Sequence, residues 1–151
     1  MGNITTDLAR SRRAAEAAAR IGVRLGADLV ELYRVEDVRA ELSAHWSRTT
    51  GSAVCAGRSV PLAWFPWSLG NIRPDEYMFV RHGGALEVDP DERRTIADLG
   101  MTSVVHLPLV SAPTVVTGAV CAYWSDELSS WDPSSRDVVC GWALDALSIR
   151  R

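Results

Sequence analysis

Apolar and small residues recur at alternating steps of three and four from the start of the chain: Ile4, Leu8, Ser11, Ala15, Ala18, Gly22 and Leu25. That spacing is helical, and the run is rich in Ala, Arg and Glu. Thr5, Thr6 or Asp7 can cap it, so a helix is predicted to Arg24. The period then changes. Residues 28–35 are apolar enough for a mostly buried strand, and from 39 to 49 apolar and polar positions alternate. Alternation predicts Ala40, Leu42, Ala44 and Trp46 on one face, with Glu41, Ser43, His45 and Ser47 on the other. The short Glu36-Asp37 link predicts an antiparallel hairpin.

The stretch 51–89 is broken by Gly51, Gly57, Pro61, Pro66 and Pro74, yet it gathers Trp64, Phe65 and Trp67. A loop-rich segment this aromatic predicts a lid folded over the core, with a short helix around 61–70 and a strand at 77–81. Pro90 then follows the capping residue Asp89, and Glu92 completes a capping-box-like pattern, so a helix is predicted to Leu99 with Gly100 as its stop. β-Branched and aromatic runs at 102–110 and 114–124 predict two long strands, with Pro108 marking a strand end or bulge. Asp132 and Pro133 open a final helix carrying Val138, Val139, Trp142, Ala146 and Ile149 on one stripe. Hairpins dominate and no βαβ series is present, so the expected class is α+β around a central antiparallel sheet. The N- and C-terminal helices are expected to pack on one face of it.

The chain has 151 residues, which predicts a single domain with its core at about 7–149. With 47% hydrophobic and 23% charged residues it is compositionally globular, not disordered. A net charge of −3 gives no electrostatic footprint for nucleic acid or an anionic membrane. All 16 basic residues are arginines, which excludes a Schiff-base, P-loop or lysine-base mechanism in this chain. Cys55, Cys121 and Cys140 are too few and too far apart for a disulfide framework or a structural zinc site, and read as buried thiols in a reducing compartment. No apolar run suits a membrane span or a secretory signal, so the expected location is cytoplasmic.

Catalytic motifs are missing: no GxGxxG, GxxxxGK[ST], GxSxG, HExxH or kinase set is present. His106 and Cys121 can meet across adjacent strands, where both a Cys–His nucleophile and plain strand packing account for them.

The assembled pattern from Val60 onward is similar to a GAF domain. It runs from Val60-Pro-Leu-Ala-Trp-Phe-Pro-Trp67 to the capped helix ending in Leu99-Gly-Met-Thr-Ser-Val-Val-His-Leu-Pro-Leu109. Thr117-Gly-Ala-Val-Cys-Ala-Tyr-Trp-Ser125 and the Trp131-Asp-Pro-Ser helix start complete it. With the N-terminal helix and hairpin, the likeness covers residues 7–149, and the Phe-Pro-Trp segment resembles GAF domains of bacterial sensor proteins. The resemblance implies a small-molecule pocket under the lid, on the sheet face away from the terminal helices. It also implies a non-catalytic sensing or regulatory role. Ligands of such domains include cyclic nucleotides, linear tetrapyrroles, haem and small metabolites, and the cofactor of this chain is left unknown. The Asn-Lys-x-Phe-Asp-Glu set of the cyclic-nucleotide binders and the bilin-attaching cysteine context are missing. The free methionine sulfoxide reductases carry clustered lid cysteines, whereas here only Cys55 lies near that region, which counts against a Cys-dependent redox enzyme and leaves it as a lesser alternative. Ligand contacts are expected from Trp64, Trp67 and Phe79 as apolar or stacking walls, Arg81 as an anion partner, and His106 with Tyr123 as polar groups. No metal ligands and no catalytic residues are expected. A homodimer through the small-residue seam of the first helix and the last helix is also expected, as is its alternative role as a ligand-free interaction module.

Overall fold

The computed structural model describes residues 4–54, 59–61, 76–82, 90–112 and 115–149. Helix α1 spans Ile4–Leu25, and the hairpin follows as β1 (Leu29–Glu36) and β2 (Arg39–Ser47). Asp37 turns it with a left-handed φ of 51°. Strands β3 (Gly51–Val54) and β4 (Ser59–Pro61) share the outer edge of β2. Next come β5 (Met78–Val80), α2 (Pro90–Asp98), β6 (Ser103–Ala112) and β7 (Val115–Trp124). A 3-10 turn at Pro133–Ser135 leads into α3 (Arg136–Ala146). All strand pairs are antiparallel, in the order β3-β2-β1-β7-β6-β5 with β4 also on β2. The α+β class and the antiparallel sheet are as expected.

Two cores sandwich this sheet. On one side Val30, Leu32, Val105, Leu107, Val120 and Ala122 meet Ala14, Ala18 and Ile21 of α1 and Val139, Ala143 and Leu147 at α3. The terminal helices therefore do share a face. On the other side Leu29, Tyr33, Val104, Ala119 and Tyr123 pack with Val80 and with Ile96 of α2.

The strict alternation expected of β2 is broken by a bulge. Leu32 pairs with Ala44 but Tyr33 pairs with Leu42, which leaves Ser43 as the extra residue. Ala44 and Trp46 consequently enter the helix-side core, while Ala40 and Leu42 enter the opposite one. All four are buried, as alternation predicts, but not on one face. Pro108 stands inside β6, paired with Ala119 of β7 and beyond the last described β5 pair at His106; register shifts follow at Leu109 and Val110.

Both helix stripes also differ from expectation. On α1, Ala14, Ala15, Ala17, Ala18 and Ile21 are buried, whereas Leu8 is 65% exposed. The seam is wider than two positions per heptad because α1 lies on a sheet as well as on α3. Gly22 is there for close approach: a Cβ on it would overlap the ring of Trp46. On α3 the buried residues are Val139, Ala143, Leu144 and Ala146, while Val138 is 40% exposed. Asp132 caps the 3-10 turn through Ser134 N at 2.9 Å, and only then does α-helix begin, which rotates the stripe. Ile149 lies past the helix end, beyond Ser148 with its positive φ.

Candidate functional site

Strand register decides which side chains share the face away from α1 and α3. Glu31 pairs with Cys121 and His45, Cys121 with His106, and Leu29 with Tyr123, so these groups point the same way. The Glu31 carboxylate is 8% exposed and accepts hydrogen bonds from Tyr33 Oη at 3.3 Å and Tyr123 Oη at 3.2 Å. His45 Nδ1 lies 3.7 Å from its other oxygen. One strand further on, His106 Nδ1 is 3.0 Å from Cys121 Sγ, and its ring meets that of Tyr123 edge-on at 6.3 Å. Burial lowers the His106 pKa to about 4, so the imidazole is neutral near pH 7 and either accepts from the thiol or donates to it.

Among the described residues, every buried side chain with an ionisable group stands on this face: Glu31, Tyr33, His106, Cys121 and Tyr123. Against the opposite core, among the described residues, only the half-buried Cys140 thiol is packed. Polar groups concentrated in one buried layer give a fold a place to recognise a ligand by hydrogen bonds rather than by shape alone.

The six expected contact residues divide. His106 and Tyr123 come together with Glu31 on this face. Phe79 does not join them: it pairs with Val105 and packs against the helix-side core, because β5 alternates like any strand and gives this face Met78 and Val80. Arg81 follows β5, where its backbone carbonyl accepts from Ser103 Oγ at 2.5 Å. Its guanidinium sits 3.5 Å from Glu127 in a largely exposed ion pair, apart from the Glu31 cluster. Trp64 and Trp67, with Cys55 and the rest of the expected lid, lie outside the described residues. Glu31 was missed by sequence reasoning. Its signal was a single carboxylate at the centre of a strand otherwise read as buried, on the same parity as Leu29 and Tyr33.

Among the described residues the thiol chemistry available is slight. His106 and Cys121 do meet, but they are 2% and 1% exposed, and a nucleophile requires access. Burial pushes the Cys140 thiol up to about 11, which leaves it protonated at physiological pH. No group of three or more metal-ligating side chains occurs among the described residues. No helix among them is long and apolar enough to cross a membrane.

No family model and no curated protein matches the chain. Solved structures do. The GAF domain of PixJ from Thermosynechococcus elongatus, in its blue-light absorbing form, superposes with a TM-score of 0.65 at 11% identity, over 98% of this chain and 90% of that one. The red/green cyanobacteriochrome NpR6012g4 gives 0.68 at 14% identity, over 91% of each chain. A domain of a two-component sensor histidine kinase protein from Sinorhizobium meliloti gives 0.60 at 15% identity, over 88% and 85%. Identities this low speak for architecture, and the architecture agrees over nearly the whole chain in each case. The chain has the fold of a GAF domain.

Proposed function

We propose that this protein is a non-catalytic sensory or regulatory GAF domain that binds a small molecule against the face carrying Glu31, His106 and Tyr123. The concentration on that face of the fully buried ionisable side chains among the described residues carries the reading. The GAF-fold neighbours support it, since they include a sensor histidine kinase and light-absorbing photoreceptors. Of the described thiols, Cys121 is buried and Cys140 is held protonated by burial, which favours binding over redox catalysis. A cytoplasmic location fits the same role. Trp64 and Trp67 belong to this proposal as lid residues, as do His106 and Tyr123 as polar contacts.

An absorbance scan of purified protein identifies a tetrapyrrole directly. A thermal-shift screen with cyclic nucleotides, aromatic carboxylates, biliverdin and haem covers the colourless classes too, because a ligand that binds only the folded state raises Tm by mass action. A hit should weaken in Glu31→Gln and Tyr123→Phe. A hit indifferent to both changes, or no hit with a colourless protein, refutes the assignment of this face.

The second reading is dimerisation through the terminal helices. Val23 of α1 is 76% exposed beside Ala19 and the Trp142 ring, over which the Arg20 guanidinium stacks at 3.9 Å. Ala15 and Ala18 are buried inside the protomer, so an arginine there would disrupt folding instead of probing association. Val23→Arg is the informative change. Light scattering at tens of micromolar should show a dimer that this variant dissociates; a monomeric parent protein excludes the reading.

A further inference from the structure

On the helix side, the packing of α1 on the sheet gives way near the β1–β2 turn to a cavity of about 520 Å³. Its walls come from the first half of α1, the end of the hairpin, Ser59 of β4 and Leu147 after α3. The apolar face of β1 changes character here: after Val30 and Leu32 the same side carries Arg34 and Glu36, whose cross-strand partners are Glu41 and Arg39. On α1, likewise, Ala18 and Ala14 give way to Ser11 and Arg10.

Two arginines lining this space are already engaged. Arg34 Nη1 donates to the Leu147 carbonyl at 3.1 Å, and Arg39 holds Ser59 through Nε at 2.8 Å and Nη2 at 3.1 Å. Arg10 is different. Its Nε is shielded from solvent and has no hydrogen-bond partner among the described residues, and the same is true of Ser43 Oγ at the bulge. Both line the cavity. A buried guanidinium N–H without an acceptor is destabilising, so two such atoms around one space call for an acceptor that enters from outside. The mouth is different again. Glu36 and Glu41 are exposed carboxylates and enter no ion pair among the described residues. Three arginines and three acids (Glu36, Asp37 and Glu41) line the cavity, so a bare anion would gain from one set and be repelled by the other.

We propose that this cavity is a second ligand site, separate from the Glu31 face, and that it takes a small zwitterion of the free amino-acid class. The carboxylate of the ligand accepts from Arg10 Nε and Ser43 Oγ in the interior, and its ammonium group faces Glu41 and Glu36 at the mouth. A volume of this order is within the usual range for small-molecule sites. Occupancy ties α1 to the hairpin, and through Arg34 and the Leu147 carbonyl it also reaches the end of α3. A ligand here therefore bears on α1 and on the end of α3 at once.

The test is calorimetry and amide chemical-shift mapping on the full chain with glycine, L-leucine, L-glutamate and L-arginine. Sodium acetate, inorganic phosphate and methylammonium chloride at matched ionic strength are the single-charge controls. At least one amino acid should bind and shift the amides of Ser11, Arg34 and Ser43, while the controls bind far more weakly. Arg10→Gln and Glu41→Gln should each lower affinity by about tenfold or more, the usual effect of losing one charged hydrogen bond. Ser43→Ala should lower it less, and Glu31→Gln should leave it unchanged. If no amino acid binds at millimolar concentration, the site is refuted. If acetate or phosphate binds as tightly, it is a plain anion site and the zwitterion assignment fails. Binding that survives both Arg10→Gln and Ser43→Ala places the ligand elsewhere and equally overturns the proposal.

Discussion

Burial takes the imidazole of His106 out of water, and that has a measurable pH signature. Its pKa falls from 6.5 to about 4 on folding, so between these values the unfolded chain binds a proton that the native protein does not. Stability is therefore unaffected by this group above about pH 6.5 and declines as the pH is lowered from there to about 4. The total is on the order of 3 kcal/mol. Urea unfolding at pH 7 and pH 4.5 should show a smaller loss for His106→Gln than for the parent protein, and equal losses would contradict burial of a neutral imidazole. Gly22 makes a second residue-level case. Alanine there adds helix propensity worth about 1 kcal/mol but pushes a methyl into the Trp46 ring, and overpacking of this kind costs about 1–3 kcal/mol. Gly22→Ala should lower the unfolding midpoint, although on an open helix it would raise it.

Element boundaries were legible wherever local chemistry fixes them. α2 starts at Pro90, and Gly100, with φ 73°, follows its end while Met101 N bonds back to the Ile96 carbonyl. Asp132 caps as its sequence context predicts. The Ser134 backbone N–H, then the Ser134 hydroxyl, hold its carboxyl below the ordinary carboxylate value. Its contribution is present above that value and is lost as the pH falls through the lowered one. Asp132→Ala should accordingly reduce Tm at pH 7, with the difference between the two proteins vanishing in strong acid. Side-chain direction was less legible, because it depends on where an element truly begins. One 3-10 turn ahead of α3 suffices to move Val138 outward and bring Ala143 and Leu144 in. Likewise Phe79 is aromatic and central to its strand, but only pairing with Val105 reveals its face.

At the level of the whole molecule, the antiparallel order and the terminal helices on one face followed from hairpin spacing and amphipathic runs. Which apolar residue serves which core did not follow. A sheet covered on both sides buries both parities of its central strands, so hydrophobicity no longer distinguishes the faces. The candidate site suffered from the same ambiguity. His106 and Tyr123 stand together, yet the carboxylate that accepts from Tyr123 was indistinguishable from the apolar run around it until β1 was seen between β2 and β7. The two proposed sites occupy opposite faces of this sheet.

The bulge at Ser43 works like a frame in a reading sequence. Changing the letter there leaves the parity of everything downstream intact, whereas removing it shifts the frame. With Ser43 deleted, β2 must either turn Ala44 and Trp46 out of the helix-side core or turn Ala40 and Leu42 out of the other. Neither choice preserves both cores, so the deletion should abolish cooperative unfolding in a calorimeter, while Ser43→Ala and Ser43→Thr retain it. The hairpin is thus more strictly constrained in its length than in its letters. Among homologous chains, loss of this position should be rare.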